Sequence, residues 1–264
     1  MRPEDPFAQS PQRLASVLEV GRWPPGVQAW FSTRHGGASL AMHAGYNLGL
    51  NGGDDPVHAR HNRAHFESHV GTQVAWLHQV HGAAVARAEA VMASGAQGQQ
   101  VQADASLSRT PGVAAAVLVA DCLPVLLARS DGLAVAAAHA GWRGLAAGVL
   151  ENTVTALQHN NPAPASVLAW LGPCIGPRQF EVGDDVREAF GPASHFAFKA
   201  HRRKDGSPAW LCDLPALARH RLKAAGVASV EGGQWCTFEQ ASEFFSFRRD
   251  RTTGRMAAAI AITA

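Results

Sequence analysis

The apolar positions of this chain fall into short runs separated by glycine, proline and acidic residues, and the runs switch between strand and helix character. Val27 to Thr33 reads as a strand that opens into the loop Arg34-His35-Gly36-Gly37. Asp55-Pro56 reads as an N-cap followed by proline at the first helical position, and the helix runs to about Val70 with Gly71 past its end. Val74 to Val80 is a short strand ending in His78-Gln79-Val80-His81-Gly82. The apolar run Val113 to Ala120 meets Asp121-Cys122, and a second run extends to Ala128. The turn signal Asp131-Gly132 then leads into Leu133 to Ala138, so two strands flank one turn. His139-Ala140-Gly141-Trp142-Arg143-Gly144 opens a helix to roughly Gln158, Leu168 to Leu171 is a further strand, and Gly172 to Pro177 is a rigid turn. Asp213 caps a helix through Ala225 closed by Gly226, and strands near Phe244 to Phe247 and Arg255 to Thr263 finish the chain. Helices interleave with strands while hairpins are also present. That mixture argues for an α+β fold, a layered αβ sandwich with a mixed β-sheet and flanking helices, over a purely parallel doubly wound sheet.

With 264 residues, 47% of them hydrophobic, the chain can fill one sizeable core. No Pro/Gly/Ser-rich linker divides it, so a single domain over residues 1–264 is expected, with residues 1–25, which hold Pro3, Pro6, Pro11, Pro24 and Pro25, as a lead-in. A formal net charge of +2 gives no reason to expect a nucleic-acid partner, and the basic stretch Lys199 to Lys204 reads as a solvated loop. The amino terminus carries Glu4 and Asp5 and no apolar signal region, and the longest apolar stretch is interrupted by Asp121 and Pro124. The expectation is a cytoplasmic protein with no membrane partner. Cys122, Cys174, Cys212 and Cys236 have no paired spacing, which argues against a disulfide framework.

Candidate chemistry centres on Cys122 and His139. A turn centred between Ser130 and Gly132 sets the two on one rung of the hairpin, where opposed Cβ atoms lie about 5 Å apart. That separation suits a thiolate and an imidazole sharing one metal ion, or a cysteine nucleophile beside a histidine base. Pro124 cannot donate to a ladder and implies an edge or a break just past Cys122. A catalytic zinc site takes three protein ligands, and His78 and His81 are both candidates for the third. A buried imidazole needs partners for both nitrogens, which makes His139, after a run of small apolar residues, hard to read as filler. His58, His61, His65 and His69 recur at helical spacing and read as a polar helix face. Glu181 can act as a general acid or base, or equally cap the helix that follows.

Several motifs recur in a familiar order: Phe31-Ser-Thr-Arg-His-Gly-Gly, Asn47-Leu-Gly, Gly53-Asp-Asp, Asn62-Arg63, Gln79-Val-His-Gly82, Ala120-Asp-Cys-Leu-Pro124, His139-Ala-Gly-Trp-Arg-Gly144, Leu171-Gly-Pro, Phe180-Glu-Val-Gly183 and Phe244-Phe-Ser-Phe-Arg-Arg-Asp250. Over nearly its whole length the chain resembles the YfiH family, called laccase-domain or polyphenol oxidase-like and described as purine nucleoside phosphorylases. The resemblance implies a zinc ion on His81, Cys122 and His139, and so chooses His81 over His78. It implies phosphorolysis of adenosine, inosine and methylthioadenosine, with deamination of adenosine as a second activity, so the expected partners are a nucleoside and phosphate. It also makes Arg63 a phosphate or substrate contact within the catalytic set. Cys174 stands where the family requires no cysteine and is given no role.

On this reading Arg63, Arg143 and Arg34 neutralise the anion, Asn47 and Glu181 complete the substrate-binding set, and Glu181 or Asp121 moves protons. The usual zinc-deaminase signature, His-x-Glu followed by Pro-Cys-x-x-Cys, is absent. A copper-dependent polyphenol oxidase is one rival, because a His/His/Cys set can hold copper and Cu2+ binding in vitro is expected. Against it, none of the 13 histidines stands two residues from another, as the paired histidines of a multinuclear copper centre do. A Cys122/His139 amidase editing cell-wall precursors is a second rival, and its activity would survive chelation. A purely structural metal would call for a fourth protein ligand.

Overall fold

A computed structural model describes residues 16–159 and 165–263. In chain order the first strands are β1 (Val17–Glu19), β2 (Val27–Ser32), β3 (Gln73–Ala75), β4 (Val85–Arg87) and β5 (Ala105–Ser108). The central ones are β6 (Val113–Val119), β7 (Leu123–Arg129), β8 (Val135–Ala140) and β9 (Val167–Leu171). The rest are β10 (Glu181–Val182), β11 (Phe198–Arg202), β12 (Pro208–Cys212), β13 (Ser229–Gly232) and β14 (Met256–Ile262). The expected mixed sheet is in fact two packed sheets with a smaller third. One has the order β1-β2-β14-β6-β3, the second β13-β9-β7-β8-β5-β4, and the small one β10-β12-β11. Each large sheet mixes antiparallel pairs with parallel ones, namely β3 with β6, β4 with β5 and β13 with β9.

Strand periodicity sorts the apolar side chains into three layers of core. Phe31, Val117, Leu126, Ala137, Trp170 and Ile260 fill the space between the large sheets. On the outer face of the first sheet, Trp30, Ala114, Ala116 and Ala259 pack with Phe66 and Val70 of the helix Pro56–Val70. On the outer face of the second, Val125, Leu127, Ala136 and Ala138 pack with Leu150, Val154 and Leu157 of the helix Val149–Gln158. Both faces of the central strands are therefore buried, which is why they read as continuous apolar runs without alternation.

The helix Pro56–Val70 follows its sequence signals: the Asp55 carboxylate accepts from the Val57 N–H at 2.8 Å, and Gly71 closes it at φ 68°. Other expectations change. The hairpin of β7 and β8 pairs Leu123 with Ala140 and Pro124 with His139, so Cys122 stands just before the ladder and two positions off the expected rung. Pro124 is not at an edge, because β7 pairs with both β8 and β9; it is the second residue of β7, where the lost donor is least felt. The strand expected over Val74 to Val80 stops at Ala75, and Gln79 takes over from the backbone. Its Nε2 donates to Leu118 O at 2.8 Å, and its Oε1 accepts from Leu118 N at 2.7 Å. The helix expected up to Gln158 is broken into Trp142–Ala146 and Val149–Gln158, because Gly148 adopts φ 91°, outside the right-handed helical region. Phe244 to Phe247 is no strand: Phe244 and Phe245 plug the core from a loop, and Ser246 caps the short helix Phe247–Asp250. Of the expected lead-in, residues 1–15 lie outside the described residues, while Val17–Glu19 forms the edge strand β1.

Candidate active site

Asp104 organises the site. Its side chain is fully buried and accepts the backbone N–H groups of Val80, His81 and Gly82 at 3.1, 2.9 and 2.7 Å. Its Oδ1 also meets His139 Nδ1 at 2.8 Å, and its carbonyl accepts from His139 N at 2.7 Å. One carboxylate thus holds the loop that carries His81 and the strand end that carries His139. Engaging Nδ1 leaves His139 Nε2 as the free ligand atom, the arrangement common behind metal-bound histidines. Burial works to raise the Asp104 carboxyl, but the bond from His139 and those from Gly82 and Val80 outweigh it and hold the group below the ordinary range.

Two strained residues flank this anchor. His81 sits at φ 62°, and Asp121, which precedes Cys122, at φ 93°. Such conformations in non-glycine residues cost about 1–3 kcal/mol each and persist only when the surroundings over-determine them. Asp104 does so for His81. For Asp121, Thr237 Oγ1 and the Arg248 N–H both donate to the carboxylate at 2.6 Å, and the carbonyl accepts from Ile175 N at 2.9 Å.

The result is a three-membered group. The ligand atoms of His81, Cys122 and His139 lie within 4.8 Å of one another, and Cys122 Sγ is 3.8 Å from His81 Nε2. Zinc bond lengths of about 2.0–2.3 Å put tetrahedral ligand atoms roughly 3.3–3.8 Å apart, so the set would fit such an ion once its widest pair closed by about 1 Å. Among the described residues the group has no fourth member, so a tetrahedral ion held there would keep one position open. Burial pushes the Cys122 thiol up, but the His139 charge and the bonds from His139 and His81 bring it down to about 6. His139 moves the other way, to about 9, because the Cys122 thiolate and the Asp104 carboxylate outweigh its burial.

The group opens on a cleft of about 440 Å³ whose lining includes Arg63, Trp76, Gln79, Phe247 and Arg255 and, among the described residues, no aspartate or glutamate. Arg63 donates from Nε to Leu48 O at 2.8 Å and lies over the Trp76 ring at 4.3 Å. Of the residues anticipated from sequence, the structure brings together His81, Cys122, His139 and Arg63. His78 lines the cleft but stays outside the ligand group. The remaining candidates stand elsewhere. Arg34 donates to Ala241 O at 2.8 Å and stacks on Phe245, and Arg143 lies over its neighbour Trp142, outside the cleft lining. Asn47 is buried, its amide already engaged by Gly49, Asp54 and Arg255. Glu181 pairs with His201 and Arg203, and Asp121 braces loops, so neither carboxylate lines the cleft. Asp104, Gln79 and Arg255 were not singled out from sequence. The one signal for Asp104 is a lone carboxylate between apolar positions, in Ala103-Asp104-Ala105.

A family model described as "Multi-copper polyphenol oxidoreductase laccase" matches residues 28–263. The purine nucleoside phosphorylase YfiH of Escherichia coli (strain K12) is 47% identical over 252 residues, 93% of this chain and 98% of that protein. The purine nucleoside phosphorylase PA4543 of Pseudomonas aeruginosa is 44% identical over 237 residues, 90% of this chain and 94% of the relative. Among solved structures, Neisseria meningitidis protein NMB0706 superposes with a TM-score of 0.86 at 43% identity, covering 95% of this chain and 100% of that one. YlmD from Geobacillus stearothermophilus superposes with a TM-score of 0.81 at 32% identity, covering 91% and 93%.

Proposed function

Because this chain belongs to the YfiH family, whose model carries the laccase description, we propose that it is a zinc-dependent purine nucleoside phosphorylase acting on adenosine, inosine and methylthioadenosine, with adenosine deaminase as a second activity. The observation that carries this reading is the cleft itself. It holds a three-ligand metal group, cationic side chains and two aromatic walls in a volume within the roughly 300–1,000 Å³ of small-molecule sites. The names of the relatives support the phosphorylase half. In the reaction a phosphate oxygen bonds to C1′ of the ribose while the C1′–N bond breaks. The electron pair leaves with the base, which takes up the proton given by phosphate, and the products are free base and pentose 1-phosphate. Positioning and charge do most of this work.

His81, Cys122 and His139 would hold a zinc ion, which would supply a Lewis acid at the cleft wall. Asp104 holds His139 by Nδ1 and leaves Nε2 free for a metal, Arg63 supplies positive charge for phosphate, and Trp76 and Phe247 offer apolar faces to the base and sugar. No Glu181 or Asp121 carboxylate is available to move protons in the cleft, so the proton passes between phosphate, base and water. The ligands are a nucleoside and phosphate, with no nucleic-acid or membrane partner, and the setting is the cytoplasm; among the described residues no helix is long and apolar enough to cross a membrane.

Copper competes for the same donors in vitro. An oxidase with a multinuclear centre needs a further ligand set, and among the described residues the His81/Cys122/His139 group stands alone. The amidase reading draws on the lowered Cys122 thiol beside His139. The test is chromatography of adenosine incubated with zinc-loaded protein, with and without phosphate, beside Cys122→Ala. Adenine formed only with phosphate and only with Cys122 supports the phosphorylase, and inosine alone would make the protein a deaminase. Neither product, together with a hydrolase activity that survives chelation, would put the amidase in its place.

A further inference from the structure

The sequence motifs put Arg63 forward for phosphate, yet one guanidinium is a weak cage for a dianion. We infer that Arg63 and Arg255 together form the oxyanion subsite of the cleft and that Arg255 is a phosphate-binding residue, an assignment that rests on the phosphorylase reading. Both arginines are fastened to the same short segment. Arg63 Nε donates to Leu48 O at 2.8 Å, Leu48 N donates to Arg255 O at 3.0 Å, and Arg255 N donates to Asn47 Oδ1 at 2.8 Å. A Cβ on Gly49 would stand 2.8 Å from Arg255 Cγ, so the missing side chain there makes room for the Arg255 stem. The helix Pro56–Val70 and the residue just before β14 thus deliver two cations to one cleft beside His81, Cys122 and His139.

Neither cation has a carboxylate at ion-pair distance. Among the described residues, neither Arg63 nor Arg255 forms an ion pair, and no carboxylate lines the cleft. Glu67, the acidic neighbour of Arg63, already accepts from Trp76 Nε1 at 2.8 Å. Donors remain for a ligand. Among the described residues, Arg63 uses only Nε for hydrogen bonding, with its plane held over Trp76, and Arg255 only Nη1, to Thr253 O and Gly254 O at 3.2 Å each, its plane near Phe247. Burial presses both guanidinium groups toward losing their charge, Arg63 to about 10. Glu67 near Arg63, and Asp121 and the Cys122 thiolate near Arg255, offset that burial only in part and from beyond ion-pair distance, and a doubly charged oxyanion gripped by planar forks completes the compensation. Asn47 becomes a positioning residue, its saturated amide locking the segment from which both arginines reach out.

The experiment uses zinc-loaded full-length protein and the variants Arg255→Gln, Arg255→Lys and Arg63→Gln, each checked for zinc content and melting temperature. Initial rates are taken with phosphate varied at saturating adenosine and the reverse, and inorganic phosphate and AMP are titrated calorimetrically. Arg255→Gln and Arg63→Gln are expected to raise the phosphate KM about ten- to a hundred-fold and the adenosine KM less than about threefold, with Arg255→Lys intermediate because it keeps the charge and loses the fork. An unchanged phosphate KM in both neutral variants overturns the assignment, as does AMP binding weakened by Arg255→Gln while phosphate binding stays put. If the wild-type chain releases no base, the phosphorylase reading fails by itself. The subsite is then judged by calorimetry alone: phosphate binding that Arg255→Gln abolishes sustains it, and no phosphate binding to the wild type overturns it.

Discussion

A carboxylate that accepts four N–H groups while sealed from water, as Asp104 does, leaves donors facing donors when it becomes an amide. Asp104→Asn is therefore expected to weaken zinc binding about 10- to 100-fold, read by competition with a chromophoric chelator, while the far-ultraviolet circular dichroism stays native. The coupling of Cys122 to His139 has its own signature in metal-stripped protein. An acid whose pKa is lowered keeps its thiolate at lower pH, so alkylation of Cys122 should be half-maximal near pH 6. It should level off by about pH 8, where an ordinary thiol with a pKa of about 8.5 is still gaining reactivity. Cys174 and Cys212 are buried with thiols pushed upward and should resist the reagent, as peptide mapping would reveal. At this scale residue identity pointed to candidate ligands but not to their support. A thiol and an imidazole in apolar runs stand out, whereas Asp104 looks like any polar residue until the chain folds its partners around it.

The glycines of His139-Ala-Gly-Trp-Arg-Gly144 show what an element needs from its sequence. A Cβ at Gly141 would stand 3.0 Å from Cys122 Sγ and 3.1 Å from His81 Cδ2. Gly141 has ordinary extended backbone, φ −62°, so alanine is conformationally permitted there. Gly141→Ala should displace the ligands and reduce zinc affinity while hardly moving the melting temperature of the metal-free protein. At Gly144 a Cβ would meet Gly82 O at 2.6 Å, a backbone atom with little room to retreat. Gly144→Ala should thus destabilise the fold itself, by about 1–3 kcal/mol, measured by denaturant unfolding. The converse result, stability lost at Gly141 and retained at Gly144, would contradict the packing described. Elements with local causes were readable: Asp55, Pro56 and Gly71 bound a helix by their own chemistry. Where a distant partner decides, local sequence carries no signal. Gln79 replaces a strand's backbone by bonding to Leu118, and Phe244 and Phe245 are apolar because they plug a core.

Across the whole molecule the metal group sits at the edge of a structure already closed by three apolar layers. Removing the metal should lower the melting temperature through lost binding energy and leave the circular dichroism native, unlike a structural zinc domain, which unfolds on chelation. Loss of secondary structure with a chelator at room temperature would refute this separation of core from site. The α+β class, the elements with clear caps, turns or apolar runs, and the candidacy of Cys122 and His139 followed from the sequence itself, because such signals act over a few residues; the choice of His81 over His78 came only with the family resemblance. The division into two packed sheets, the two-residue shift of Cys122 off its expected rung, the exclusion of Arg34, Asn47, Arg143 and Glu181 from the cleft and the arrival of Arg255 in it belong to the tertiary structure. These depend on which segments meet across the chain, and local preference carries no record of the partner that a side chain finds.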